Sequence, residues 1–380
     1  MKNLFESFKN EVGKMLINFG EKLTSEIEST NKRVDQLEKE IEEIKEQFKK
    51  ESTPVAKTRK VSSIKEATEK DNLNLLKKFT CKEKYRKTNY NLAISGAGEV
   101  KTTNFENTLI IKDDKYNENN IFDLSGSMLL KSNADIEDFK MPVFNNESND
   151  NIKIELNKNI MDIILNKALV YGDNKENIAI YGVHLECKNN VLYIVGTDTY
   201  RMYKNEFELN SKDFKITLSY DLLNNIKTDY NKLGDIVELN IFTNNNIGSS
   251  FIELKYSNRI LISKLIDIPY PNYKTITDST NHHEYTEFKQ DLNELLEYSK
   301  NNKDKYAVLF NFANYEAKTA DFKTEVNTSG NFEGRVYLNV KFLIELLKVN
   351  KKVYMKNSST MVYAQNEKEL SILMPLAFRD

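Results

Sequence analysis

Val195-Gly196-Thr197-Asp198-Thr199-Tyr200-Arg201-Met202 reads as the end of a strand running into a tight polar turn. Asp198 suits the turn because its carboxylate can accept from nearby backbone N–H groups, which fits it better than a role as general base. The strand it closes covers residues 191–197 and follows another over 182–187, with an amphipathic helix over 156–171 ahead of both. Downstream, the pattern predicts a helix over 220–230 and strands over 237–242, 250–256 and 259–265. In the second of these, Phe251, Glu253 and Lys255 alternate with Ile252, Leu254 and Tyr256, giving one apolar and one largely polar face. Ile160, Ile163, Ile164, Leu223 and Ile226 supply helix stripes that can cover the apolar faces.

The same order then returns. A helix over 288–300 precedes a strand at 307–312 and a strand pair within 315–326. A helix over 339–349 precedes strands at 352–356, 360–365 and 370–374. Repetition on this scale implies an architecture of tandem pseudo-symmetry. Helices on one side of antiparallel sheets make an α+β layer structure.

The strand-end octapeptide resembles the Ala-Thr-Asp-Gly-His-Arg-Leu signature of bacterial sliding clamps, the beta subunit of the replicative DNA polymerase. Further matches are Leu261-Ile262-Ser263-Lys264-Leu265-Ile266-Asp267 and the exit Tyr270-Pro271-Asn272-Tyr273. Leu338-Asn339-Val340-Lys341-Phe342-Leu343 and Ile372-Leu373-Met374-Pro375-Leu376 follow in the family's order. The resemblance covers residues 151–380. Thr199 stands where the family has Gly and Tyr200 where it has His, and Ala377-Phe378-Arg379-Asp380 extends past the usual end.

The resemblance implies a DNA-clamp fold and no catalysis or cofactor. Such a protein encircles duplex DNA, slides on it, and tethers a polymerase through a pocket for client peptides, clamp loaders included. By motif position the pocket would draw on Thr197, Tyr200, Arg201, Met202, Pro271, Ile276, Ile372, Met374, Pro375 and Leu376. Met and branched aliphatics form an adaptable apolar hollow, while Arg201 and Thr197 can hold polar ends of a peptide. Without the resemblance, the same residues read as ordinary strand-end core.

The expected division is a coiled-coil helix over 1–52, a divergent or partial first clamp domain over 53–150, a second-domain-like unit over 151–278 and a third-domain-like unit over 279–380. The first has no counterpart in the family. It spaces Leu23, Ile27, Thr30, Val34, Leu37, Ile41, Ile44 and Phe48 in alternating steps of four and three, a heptad seam that fits self-association. Pro54 ends it. Residues 53–150 show a helix near 72–79 and strand-like stretches at 91–95, 108–112 and 127–131. Rings of this family hold six domains, so a three-domain chain would close as a dimer and a two-domain chain as a trimer.

Over its 380 residues the chain carries 55 Lys plus Arg against 57 Asp plus Glu, which excludes a uniformly basic nucleic-acid coat. By segment, residues 57–87 hold eleven basic against four acidic residues, and that block could touch phosphates. The four repeat helices, taken at 157–170, 219–230, 288–300 and 339–349, balance seven lysines against seven acids. Lys77, Lys78, Lys158, Lys167, Lys227, Lys341 and Lys348 are the candidate DNA contacts.

Enzymatic readings find little support. There is no Walker-type glycine loop and no nucleophile elbow. His184 sits in an alternating strand as a packed residue, and His282-His283 lacks a spaced third ligand for a metal. Cys81 and Cys187 are too few and too far apart for a disulfide framework. Together with the lack of a long apolar run or secretory signal, this gives a cytoplasmic expectation and no membrane partner. The rival to a working clamp is a clamp-derived scaffold that keeps the pocket without sliding on DNA.

Overall fold

In the computed structural model, residues 63–82, 91–126, 130–131, 139–142, 151–242, 250–280, 284–300, 306–319 and 322–377 are described. They belong to one unit, Ser63–Asp380. The expected coiled coil over 1–52, six of the eleven basic residues of the block at 57–87, and His282-His283 lie outside the described residues.

A single motif recurs five times: a helix followed by three consecutive antiparallel strands. The first copy is helix α1 (Ser63–Phe79) with strands β1 (Leu92–Gly96), β2 (Glu99–Thr103) and β3 (Asn107–Lys112). After β4 (Asn120–Asp123), β5 (Leu130–Lys131) and β6 (Asn151–Asn157) comes the second helix, α2, spanning residues 158–171. It is α-helical over Lys158–Asp162, π-helical over Ile163–Ala168 and α-helical again over Leu169–Tyr171. Its strands are β7 (Gly182–Lys188), β8 (Val191–Thr197) and β9 (Arg201–Glu208).

Strand β10 (Phe214–Ser219) leads into α3 (Tyr220–Lys227), then β11 (Ile236–Phe242), β12 (Phe251–Tyr256) and β13 (Arg259–Lys264). A short helix α4 (Lys274–Thr277) links to β14 (Tyr285–Phe288) and α5 (Asn293–Ser299). The strands of α5 are β15 (Ala307–Asn311), β16 (Glu316–Lys318) and β17 (Lys323–Glu325). After β18 (Thr328–Gly330) and β19 (Arg335–Asn339), α6 (Val340–Leu347) opens the fifth copy, with β20 (Lys352–Tyr354), β21 (Val362–Gln365) and β22 (Glu369–Leu373).

Sheet topology follows one rule throughout. The first strand of every meander takes one extra strand from elsewhere in the chain: β1 takes β4, β7 takes β10, β11 takes β6, β15 takes β19 and β20 takes β14. Thus β6 precedes α2 yet pairs with β11, while β10 precedes α3 yet pairs with β7. Two motifs that exchange strands in this way cannot separate without breaking both sheets. The third strands make the joints between sheets, β3 to β13 and β9 to β22, both antiparallel. The first copy has no strand-exchange partner among the described residues, so it is half of a pair.

Local sequence explains the switches from strand to helix. Asn157, Ser219 and Asn339 each end a strand and accept from an N–H of the following helix, at Ile160, Leu222 and Phe342. These caps satisfy helix N–H groups that would otherwise lack partners. They also correct the expected boundaries. Leu156 lies in β6 and Phe288 in β14, although both keep an i,i+4 apolar spacing to Ile160 and Leu292 that imitates a helix stripe.

The helices form one layer. α1 packs beside α3, α3 beside α2, and α5 beside α6, with each helix against its own sheet. Residues of α2 and α6 face each other across a small hollow lined by Asn166, Lys167, Tyr171, Tyr203, Glu345 and Lys348. The buried core runs continuously from Leu76 and Phe79 of α1 through Leu109, Ile164, Leu223 and Leu261. A second core holds Phe288, Phe310, Leu338 and Leu343. The buried Arg259 pins the first copy to the rest: its Nε lies 2.6 Å from Asp229 and its Nη2 donates to Asn72 of α1 at 3.1 Å.

Candidate functional site

The turn after β8 is built by Asp198. Its Oδ1 accepts from the backbone N–H groups of Tyr200 (3.0 Å) and Arg201 (2.9 Å), and its Oδ2 accepts from Arg201 Nε at 2.7 Å. Thr197 Oγ1 donates to the Arg201 carbonyl at 2.7 Å and accepts from Thr199 N–H. Thr199 takes φ +79°, a left-handed conformation that a β-branched residue adopts only under strain. This is the position where the family signature has Gly. Gly196, near the end of β8, is required by space, since a Cβ there would meet the Ala168 carbonyl oxygen of α2 at 2.2 Å.

Arg201 is largely buried and already occupied. Beyond Asp198, its Nη2 donates to the Val170 carbonyl at 2.9 Å, and its guanidinium lies between the rings of Tyr171 (4.8 Å) and Phe342 (4.0 Å). The sequence expectation gave Arg201 a peptide-holding role. The structure places it as a pin between the second and fifth copies, with Phe342 as a partner that motif position alone did not single out.

Apart from Thr197 and Arg201 of the turn, the expected pocket residues do not gather in one hollow. Met202 and Ile372 sit opposite each other in the β9–β22 pairing, buried with Val195, Tyr273 and Tyr363 in a small apolar cluster. Over that floor, Tyr200 is 63% and Met374 41% exposed, and the Met374 N–H donates to the Tyr200 carbonyl at 2.8 Å. Ile276, 44% exposed, is on α4, three residues after Tyr273. Pro271 lines a separate hollow of about 460 Å³ with His184, Glu186, Lys215, Tyr270 and Lys274. Pro375 and Leu376 line a third, of about 410 Å³, with Arg335 and Tyr337. An apolar floor with exposed aromatic and Met side chains above it fits hydrophobic anchors of a peptide.

The Pro271 hollow is electrostatically organised. Glu186 is buried and accepts from Tyr273 Oη (2.6 Å) and Lys274 Nζ (3.0 Å), with Lys215 Nζ at 3.3 Å. Burial opposes its ionisation, but these donors outweigh burial and hold its carboxyl at about 2. Burial pushes the His184 imidazole down to about 4, where it stacks on Tyr270 at 4.4 Å and pairs with Thr217. His184 is thus a neutral packed group, as its alternating strand position suggested.

The candidate DNA contacts lie on the helix layer. Lys158, Lys167, Lys341 and Lys348 are exposed, and Lys77, Lys78 and Lys227 are half-buried. Several are engaged: Lys167 with Glu369, Lys348 with Glu345, and Lys77 with the Gly126 carbonyl. Desolvation, with Lys82 adding its charge, lowers the Lys78 ammonium below the usual lysine range. Lys158 and Lys227 have no ion pair among the described residues. The balance shifts slightly from the sequence expectation, because Asp229 is buried against Arg259 while Lys289 and Asp291 fall outside the helices. From Lys70 onward the five helices then carry seven lysines and six acids outside the core, with Lys300 and Lys348 as cationic C-caps.

Neither a protein-family model nor a curated protein matches the sequence. Solved structures do. The DNA polymerase III beta subunit of Thermotoga maritima aligns with TM-score 0.63 at 16% identity, covering 82% of this chain and 97% of that one. The beta chain from Streptococcus pneumoniae gives 0.66 at 15% identity, covering 81% and 97%. The DNA polymerase sliding clamp of Pseudomonas aeruginosa gives 0.63 at 14%, covering 82% and 98%. Residues 63–377 therefore carry the fold of these clamps.

Proposed function

We propose that this chain, which has the fold of bacterial sliding clamps, is a non-catalytic DNA tether. Its helix layer faces the duplex, and its Tyr200–Met374 surface receives a hydrophobic segment of a polymerase or loader-type client. The observation that carries the reading is the continuous layer of helices α1, α3, α2, α6 and α5 over strand-exchanged sheets. That layer is a lysine-bearing surface of the kind a tether needs against DNA. Its charge excess is small, so retention rests on enclosure and not on affinity. The heptad seam at 23–48 helps hold copies together around the duplex.

Reversal of three lysines of this layer that have no ion pair among the described residues tests the face assignment. The triple variant Lys158→Glu, Lys227→Glu, Lys341→Glu should weaken duplex binding at low salt and flatten its salt dependence by up to about 0.9 for each phosphate that is no longer neutralised. Unchanged binding would remove the helix layer from DNA contact.

A second reading, a clamp-derived scaffold, is favoured by two observations. Lys167 and Lys348 are spent on Glu369 and Glu345, and the motifs among the described residues number five, an odd count for an architecture of exchanged pairs. Under it, duplex binding is negligible at physiological salt while client peptide still binds.

A further inference from the structure

Where the end of α1 meets the turn after α3, the surface sinks into a hollow of about 670 Å³. Lysines reach it from both elements: Lys77, Lys78 and Lys82 from the end of α1, and Lys232 from beyond α3. A helix C-terminus favours cations by its own dipole. That preference accounts for one or two lysines on α1, but it gives no reason for a fourth to approach from the other side.

The acids at the hollow do not balance them. Asp229 is buried and taken by Arg259, whose Nε lies 2.6 Å away. Asp71 is taken by Lys232 at 3.1 Å. Lys77 donates to the Gly126 carbonyl, which satisfies a hydrogen bond and neutralises no charge. Lys78 and Lys82, four residues apart, have neither an ion pair nor a hydrogen bond among the described residues. Three ammonium charges are therefore left without a counter-charge around one hollow. Burial and the neighbouring Lys82 lower the Lys78 ammonium, and Asp229 offsets them only in part. Like charges held together in a recess are stabilised by an anion placed between them. Asn74 and Asn231, whose side chains have no partner among the described residues, add amide donors to the lining.

We propose that this hollow binds a phosphate dianion, carried by a small phosphorylated molecule or by a nucleic-acid end, and held by Lys78 and Lys82. A backbone phosphodiester brings a single negative charge, whereas a phosphate monoester brings about −1.5 to −2 at neutral pH and matches the excess better. The volume also suits a small molecule. The site uses none of the three lysines that test the helix layer against duplex, and it holds or fails whether or not the chain encloses DNA.

The test is calorimetric titration of the full chain with inorganic pyrophosphate, free of divalent metal. Saturation at one site per chain is expected. Lys78→Gln and Lys82→Gln should each weaken binding about tenfold, the loss of one charge-assisted contact. Lys212→Gln, which removes an exposed lysine elsewhere, should not. Lys82 is exposed, so its variant keeps the test decisive should Lys78→Gln disturb the fold. Competition by a short duplex with a 5′-phosphate or a 5′-hydroxyl then separates the sources. Stronger competition by the phosphorylated duplex assigns the dianion to a nucleic-acid end, and weak competition by both assigns it to a free phosphate compound. Strong competition by both alike makes the hollow an ordinary backbone contact and overturns the proposal. So does the absence of saturable pyrophosphate binding, or binding that Lys82→Gln leaves as intact as Lys212→Gln does.

Discussion

The guanidinium of Arg201 lies 4.0 Å from the ring centroid of Phe342, so the turn after β8 is clamped by the helix of a distant motif. The same group is ion-paired to Asp198 and bonded to the Val170 carbonyl, all with little exposure to solvent. Arg201→Ala should therefore destabilise the protein by about 3 kcal/mol, since it leaves Asp198 buried without its counter-charge. Arg201→Lys should recover little, because an ammonium cannot span the carboxylate, the carbonyl and two rings. Urea midpoints of the two variants check both statements.

Acid should unfold the protein in two separable windows. His184, held neutral at about 4 in the fold against an ordinary 6.5, takes up protons more readily when unfolded. Stability therefore falls as pH drops from about 6.5 to 4. Glu186 is the reverse kind of group, with its carboxyl at about 2 against an ordinary 4.5. Its contribution is present above about 4.5 and is lost as pH falls toward 2. Glu186→Gln should cost ~2 kcal/mol at neutral pH, allowing for the solvent-exposed ends of Lys215 and Lys274, and should flatten the lower window only. His184→Gln should flatten the upper one. Denaturation curves across pH 2–7 separate them.

Two neighbouring backbone positions should respond in opposite directions. Gly196→Ala drives a methyl into the Ala168 carbonyl and should cost about 1–3 kcal/mol. Thr199→Gly relieves a β-branched residue at φ +79° and should gain about 1 kcal/mol, with glycine's added chain entropy offsetting part of the relief. Thermal midpoints give the signs.

The proposed docking surface can be divided by substitution. Tyr200→Ala and Met374→Ala remove exposed side chains over the Met202–Ile372 floor and should each weaken a hydrophobic client peptide about tenfold, with no loss of fold. Leu376→Ala, in a different hollow, should leave peptide affinity unchanged. Fluorescence anisotropy with a labelled peptide distinguishes a shared pocket from this narrower one.

The duplicated motifs were legible because alternation along strands such as β12 and apolar stripes on α3 are local signals. The exchanged strands were not. Leu156 and Phe288 sit one helical turn before Ile160 and Leu292, so periodicity extended each helix backward until Asn157 and the turn before α5 intervened. Short polar strands such as β17 and β18 carry no stripe at all, and their pairing is decided by which edge remains open. The expected pocket residues were chosen by motif order, and order says nothing about burial. Arg201 reads as an exposed ligand group until Phe342 and Val170 are brought against it by the fold.

The central claim, a tether that holds DNA by enclosure, is tested most directly by topology. The full chain is loaded onto nicked circular duplex, freed of loose protein at physiological salt, and the retained fraction is measured before and after a single linearising cut. The account predicts retention on the circle and loss from the linear form. Equal retention on both, or none on either, would contradict it.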